Sequence, residues 1–135
     1  MEPSHSPELM EHFSRPRNVG SLDRRSRRVG TGTATVADCG DVMRLQIEVD
    51  GRGRISRAKF KTFGCSAAIA AGSVTTEWLR GRNVQEAETF SADYVTERLS
   101  LPPDKQHSSR LAEDAVRQAV GDWKSRRCPC RQPAS

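Results

Sequence analysis

Between residues 42 and 49 apolar and polar positions alternate without interruption: Met43, Leu45, Ile47 and Val49 on one side, Arg44, Gln46 and Glu48 on the other. A period of two predicts a strand with one face buried. Asp50-Gly51 with Gly53 supplies turn chemistry, and the strand that follows sets Ala58 and Phe60 inward and Lys59 and Lys61 outward. A preceding strand at about residues 31–37 completes a three-stranded antiparallel sheet. After Gly64 the period becomes helical, and "CSAAIAAGSVTTEWLRG" runs to a natural stop at Gly81, with small residues that let another backbone come close. Two shorter helices are predicted at 84–89 and 92–99, before Pro102-Pro103 forces an extended segment. The last helix starts near Ser109, where Leu111, Ala115, Ala119 and Trp123, joined by Val116 and Val120, form a core-facing stripe.

Ahead of the sheet, Ser6-Pro7-Glu8 has the chemistry of a helix start, and that helix should end before Pro16. "NVGSLDRRSRRVGTG", with Gly20, Gly30 and Gly32 and no hydrophobic period, predicts a loop. Strands followed by helices make an α+β sandwich with the helices packed on one face of the sheet. The 135 residues suit one domain, over 1–126, followed by a short tail at 127–135 that contains Cys-Pro-Cys.

Composition narrows the function. Apolar residues make up 35% and aromatic residues 5%, so the core is modest and the ends are expected to fray. No stretch has the ~20 apolar residues of a membrane span, and "MEPSHSPELM" lacks signal-peptide character, which predicts a cytosolic protein. The net charge is +5, from 22 Lys and Arg against 17 Asp and Glu. The cations are scattered over a loop, a strand and a helix end, with no nucleic-acid motif beside them, so a DNA- or RNA-binding protein ranks last among the functions considered. Its signature would be a steeply salt-dependent affinity.

Four cysteines in a reducing compartment point to metal or thiol chemistry rather than to staples. Cys39 ends the first strand in a Cys-Gly-Asp turn, and Cys65 sits where the third strand passes into a helix, whose N-terminus favours thiolate. Antiparallel neighbours bring the end of the first strand and the end of the third to the same edge, together with Asp41. His107, just ahead of the final helix, is the obvious further ligand. Two Cys, one His and one Asp satisfy a tetrahedral zinc ion, and a similar set holds iron in a cluster. The competing explanation is two unrelated small core residues, a solvated turn aspartate and a loop histidine. His5 and His12 read as surface residues.

In the order "RPRNVGSLD", "CGDVMRLQIEV", "AKFKTFGC", "TEWLRG", "LPPDKQH" and "LAEDAV", across about residues 8–126, the chain resembles the U-type scaffolds of iron-sulfur cluster assembly, the IscU and NifU N-terminal group. The resemblance implies the same α+β sandwich and a scaffold that is not an enzyme. It implies a site that builds a transient [2Fe-2S] cluster from iron and sulfide and hands it on. Family roles fall on Cys39, Cys65 and His107 as ligands and on Asp41 as the residue that keeps the cluster labile. The implied partners are a cysteine desulfurase, an Hsp70-type chaperone, a frataxin-like protein, a ferredoxin and recipient apo-proteins, with the chain a monomer or homodimer.

Two departures stand out. The family's third cysteine, its usual persulfide acceptor, follows the histidine directly, and this chain has Ser108 there. A hydroxyl cannot form a persulfide, which leaves Ser108 as a weak ligand at most. In the segment Leu101, Pro102, Pro103, Asp104, Lys105, which matches the family's chaperone-docking peptide, Asp104 replaces an apolar residue. Cys128 and Cys130 are auxiliary thiols on the tail, too far along the final helix to return to their own site by arithmetic of helix rise. The alternative function is a zinc-binding paralogue that has lost assembly and regulates the desulfurase.

Overall fold

A computed structural model describes residues 11, 14–16, 18–23, 25–36, 40–64, 66–101 and 106–127. Three strands, β1 (Val29–Val36), β2 (Asp41–Val49) and β3 (Ile55–Phe63), precede four helices, α1 (Ser66–Leu79), α2 (Val84–Ala87), α3 (Ala92–Leu99) and α4 (His107–Arg127). The sheet order is β1-β2-β3, antiparallel throughout, so the most regularly alternating stretch of the sequence is the central strand. Met43, Leu45, Ile47 and Val49 are all buried against the helices, as the period of two requires. On β3 the inward positions are Ile55, Ala58 and Phe60. The odd step from 55 to 58 follows from a register shift at Glu48/Val49, a bulge that re-aims the strand.

β1 corrects the sequence expectation. It begins at Val29, two residues before the expected start, so Gly30 joins Gly32 in the strand. The reason is tertiary: α4 lies directly on the β1 backbone. A β-carbon at Gly30 would fall 2.1 Å from the Ala119 carbonyl oxygen, and one at Gly32 would fall 2.3 Å from that of Ala115. A strand that must admit a helix this closely has no hydrophobic period to read. The same helix closes the open edge of the sheet, because the Thr31 amide donates to Asp122 Oδ2 at 2.9 Å and the Thr33 amide to Gln118 Oε1 at 3.3 Å.

The predicted stripe on α4 is buried from Leu111 to Trp123, but the helix starts at His107, two residues earlier than expected. The stop of α1 agrees with Gly81, whose φ of +87° only glycine adopts freely. The first of the short helices ends at Ala87 and the second spans the predicted residues. Gln46, expected to face solvent, is 2% exposed. The segment before β1 reaches it: Asn18 and Gly20 pair with Phe60 on the edge of β3, and the Leu22 amide then donates to Gln46 Oε1 at 2.7 Å. Of the expected first helix, Glu11 and Ser14 are helical; its start at Ser6-Pro7-Glu8 lies outside the described residues. No helix among the described residues is long and apolar enough to cross a membrane.

On the hairpin, Arg57 Nε and Nη2 donate to the two carboxylate oxygens of Glu48 at 2.8 and 3.0 Å. That pairing holds the Glu48 carboxyl below its ordinary value. A depressed carboxyl contributes stability above its unfolded pKa and loses it as the pH falls through the folded one. Stability should therefore drop below the usual glutamate range near 4.5. For a pair this exposed the change is under about 1 kcal/mol. Urea midpoints at neutral pH and in acid check it, with Glu48→Gln expected to remove this part of the pH dependence.

Candidate functional site

The inward row of β2 does not end in a hydrophobe. One step beyond Met43 on the same face stands Asp41, 5% exposed, a carboxylate where the strand's pattern calls for core. Gly40, with φ of +71°, turns the chain into β2, and Asp41 is the first strand residue, in register with Val36. It is therefore not the solvated turn residue of the simpler alternative. Val42 is in register with Phe63, which brings Gly64 beside Asp41 from the far side of the hairpin.

His107 arrives from α4. Because Gly30 and Gly32 let that helix rest on β1, its first residue comes to the end of the sheet where β2 begins. His107 Nε2 lies 3.2 Å from Asp41 Oδ2, with the imidazole 29% exposed and the carboxylate 7%. The contact uses one ring nitrogen of His107 and one carboxylate oxygen of Asp41, so Nδ1 is the ring nitrogen that remains for another partner. A buried carboxylate orienting an imidazole whose other nitrogen can bind a metal is a recurrent arrangement around metal sites.

Of the four expected ligands, the structure thus joins Asp41 and His107. Cys39 and Cys65 lie outside the described residues; the described chain neighbours are Gly40 for Cys39 and Gly64 and Ser66 for Cys65. Among the described residues no third His, Cys, Asp or Glu joins the pair. Ser108, next along α4, is fully buried. Leu101 is also buried, in the core, with its amide bonded to the Thr96 carbonyl at 3.0 Å. Pro102, Pro103, Lys105, Cys128 and Cys130 lie outside the described residues. Sequence reasoning missed Gly64, whose only signal is its position immediately before Cys65.

Residues 4–129 match the family of the NifU-like N terminal domain. The chain is 50% identical over 124 residues to the iron-sulfur cluster assembly scaffold protein IscU of Azotobacter vinelandii, covering 92% of this chain and 97% of that one. It is 49% identical over 122 residues to iron-sulfur cluster assembly protein 3 of Arabidopsis thaliana, covering 90% and 71%. Among solved structures, a candidate SUF-system scaffold from Fervidobacterium islandicum AW-1 superposes with a TM-score of 0.70 at 19% identity, covering 87% of this chain and 97% of that one. The N-terminal part of a NifU-like protein from Brucella abortus gives 0.55 at 17%, covering 94% and 84%. At those identities the structural likeness speaks to the fold alone.

Proposed function

Since this chain belongs to the NifU-like N-terminal domain family, we propose that it is a scaffold for iron-sulfur cluster assembly, with Cys39, Cys65 and His107 as ligands and Asp41 as the exchangeable one. The observation that carries this reading is the contact between buried Asp41 and half-buried His107 at the end of the sheet, with Gly40 and Gly64, chain neighbours of the two cysteines, beside Asp41. Thiolate and imidazole suit iron in a [2Fe-2S] cluster, while a hard carboxylate oxygen binds it more weakly and lets the product leave. The cluster is cargo, and the chain holds and transfers rather than catalyses. A cysteine desulfurase supplies sulfur, apo-proteins receive the cluster, and a frataxin-like protein, a ferredoxin and an Hsp70-type chaperone are the remaining partners. A reducing cytosol suits the thiols.

Ser108 favours a second reading, a zinc module that regulates the desulfurase. At that position the chain offers a buried hydroxyl and no thiol, so sulfur must enter through Cys39, Cys65, the tail or a second chain.

One experiment separates the two. Iron, zinc and acid-labile sulfide per chain are measured on anaerobically purified protein before and after incubation with a cysteine desulfurase, cysteine and ferrous iron. Matching iron and sulfide is the expected result; zinc with no sulfide gained leaves the metal module. In the same assay Ser108→Cys should raise sulfide incorporation several-fold, because the first turn of α4 is a helix N-terminus that favours thiolate. Equal loading by both forms would show that sulfur is accepted elsewhere.

A further inference from the structure

The Asp41 carboxylate meets the histidine on one side and the α-carbon of Gly64 on another. A β-carbon built there would fall 2.7 Å from Asp41 Cγ, 2.8 Å from Oδ1 and 3.1 Å from Oδ2. Carbon-carbon contacts of that length do not occur, so with any other residue at position 64 something must move. The group that gives way is the carboxylate itself, since the three nearest atoms all belong to the Asp41 side chain. Moving it away from Gly64 disturbs the 3.2 Å contact with His107 Nε2.

We propose that Gly64 is a positioning residue: the space left by its missing side chain is what fixes Asp41 against His107, and it is thereby part of the metal site without touching the metal. The glycine is not there for its backbone, because its φ lies outside the left-handed range in which Gly20, Gly40, Gly53 and Gly81 are found. Alanine at 64 is therefore tolerated by the main chain and acts through the carboxylate. As a metal residue Gly64 rests on the scaffold reading; its hold on Asp41 does not.

The test is a double-mutant cycle between Gly64→Ala and Asp41→Ala, with two readouts on the full chain. The first needs no metal. Urea midpoints should show that Gly64→Ala lowers stability when Asp41 is present and has little or no effect when Asp41 is alanine, because the clash partner is gone. Equal effects in both backgrounds would overturn the proposal, as would no effect in either. The second is affinity for zinc alone. Gly64→Ala should weaken binding by about ten- to hundred-fold in the Asp41 protein, the range of groups that orient ligands, and add nothing to Asp41→Ala. An equal loss in both backgrounds would mean that position 64 acts through the neighbouring Cys65, and Gly64 would lose the assigned role. Coupling in the midpoints with no zinc bound by any form, the parent included, would sink the metal part of the proposal and leave the steric hold on Asp41 standing.

Discussion

Asp41→Ala should lengthen the lifetime of a reconstituted cluster by about ten-fold or more, the scale on which groups around a metal tune it. The carboxylate is buried at the end of an apolar row and hydrogen-bonded to the imidazole, so its removal leaves a small apolar side chain at a position the core accepts. What is lost is the one hard oxygen donor among the proposed ligands, and with it the weakly held position through which the cluster exchanges. Visible absorbance decay of the anaerobically loaded protein and the rate of transfer to an apo-ferredoxin measure this directly. Slower transfer with a longer lifetime is the expected pair of results. Unchanged kinetics would remove Asp41 from the exchange step and return it to a purely structural role.

The largest stability effect is expected at a residue far from any ligand. Gly32→Val places a branched side chain where even a β-carbon would lie 2.3 Å from the Ala115 carbonyl oxygen and 2.5 Å from the Ala119 amide nitrogen. Both atoms belong to the backbone of α4, so no rotamer change relieves the overlap and the whole helix must lift from β1. Overpacking of an ordinary core costs about 1–3 kcal/mol, and a clash with helix backbone should exceed the upper end of that range. Against a typical stability of about 5–15 kcal/mol this removes a large share of the total. Circular dichroism melts should show a transition displaced to much lower temperature or absent at 25 °C. Gly51→Ala is the control, because a β-carbon there meets nothing within 4 Å. A Gly32→Val protein with an unchanged transition would mean that α4 is not seated on β1. The consequence would reach the site, since that seating is what brings His107 to Asp41.

How much of this was readable from the chain depends on where the physical cause lies. β2 was legible because its alternation reports a strand with one buried face, and the stripe on α4 was legible for the same reason at a period of 3.6. The motif segments "CGDVMRLQIEV" and "LAEDAV" carried the family with them. The start of glycine-rich β1 was read two residues late because a residue without a side chain has no period, and only the helix resting on it explains why glycine stands at 30 and 32. Gln46 looked like a solvent position until the segment before β1 was seen to reach it.

The candidate site divides along the same line. Local chemistry in the sequence determined which residues were worth asking about: Cys39, Asp41, Cys65 and His107, and Ser108 as the departure. Only the tertiary structure decided that Asp41 is buried rather than a solvated turn residue, that its carboxylate meets His107 across 66 positions of chain, and that Leu101 is buried in the core. It alone gave Gly64 a task. Sequence patterns record the face a residue turns to its own element, whereas contacts between β2, the β3–α1 joint and the first turn of α4 depend on how closely separate backbones approach, which no single element encodes.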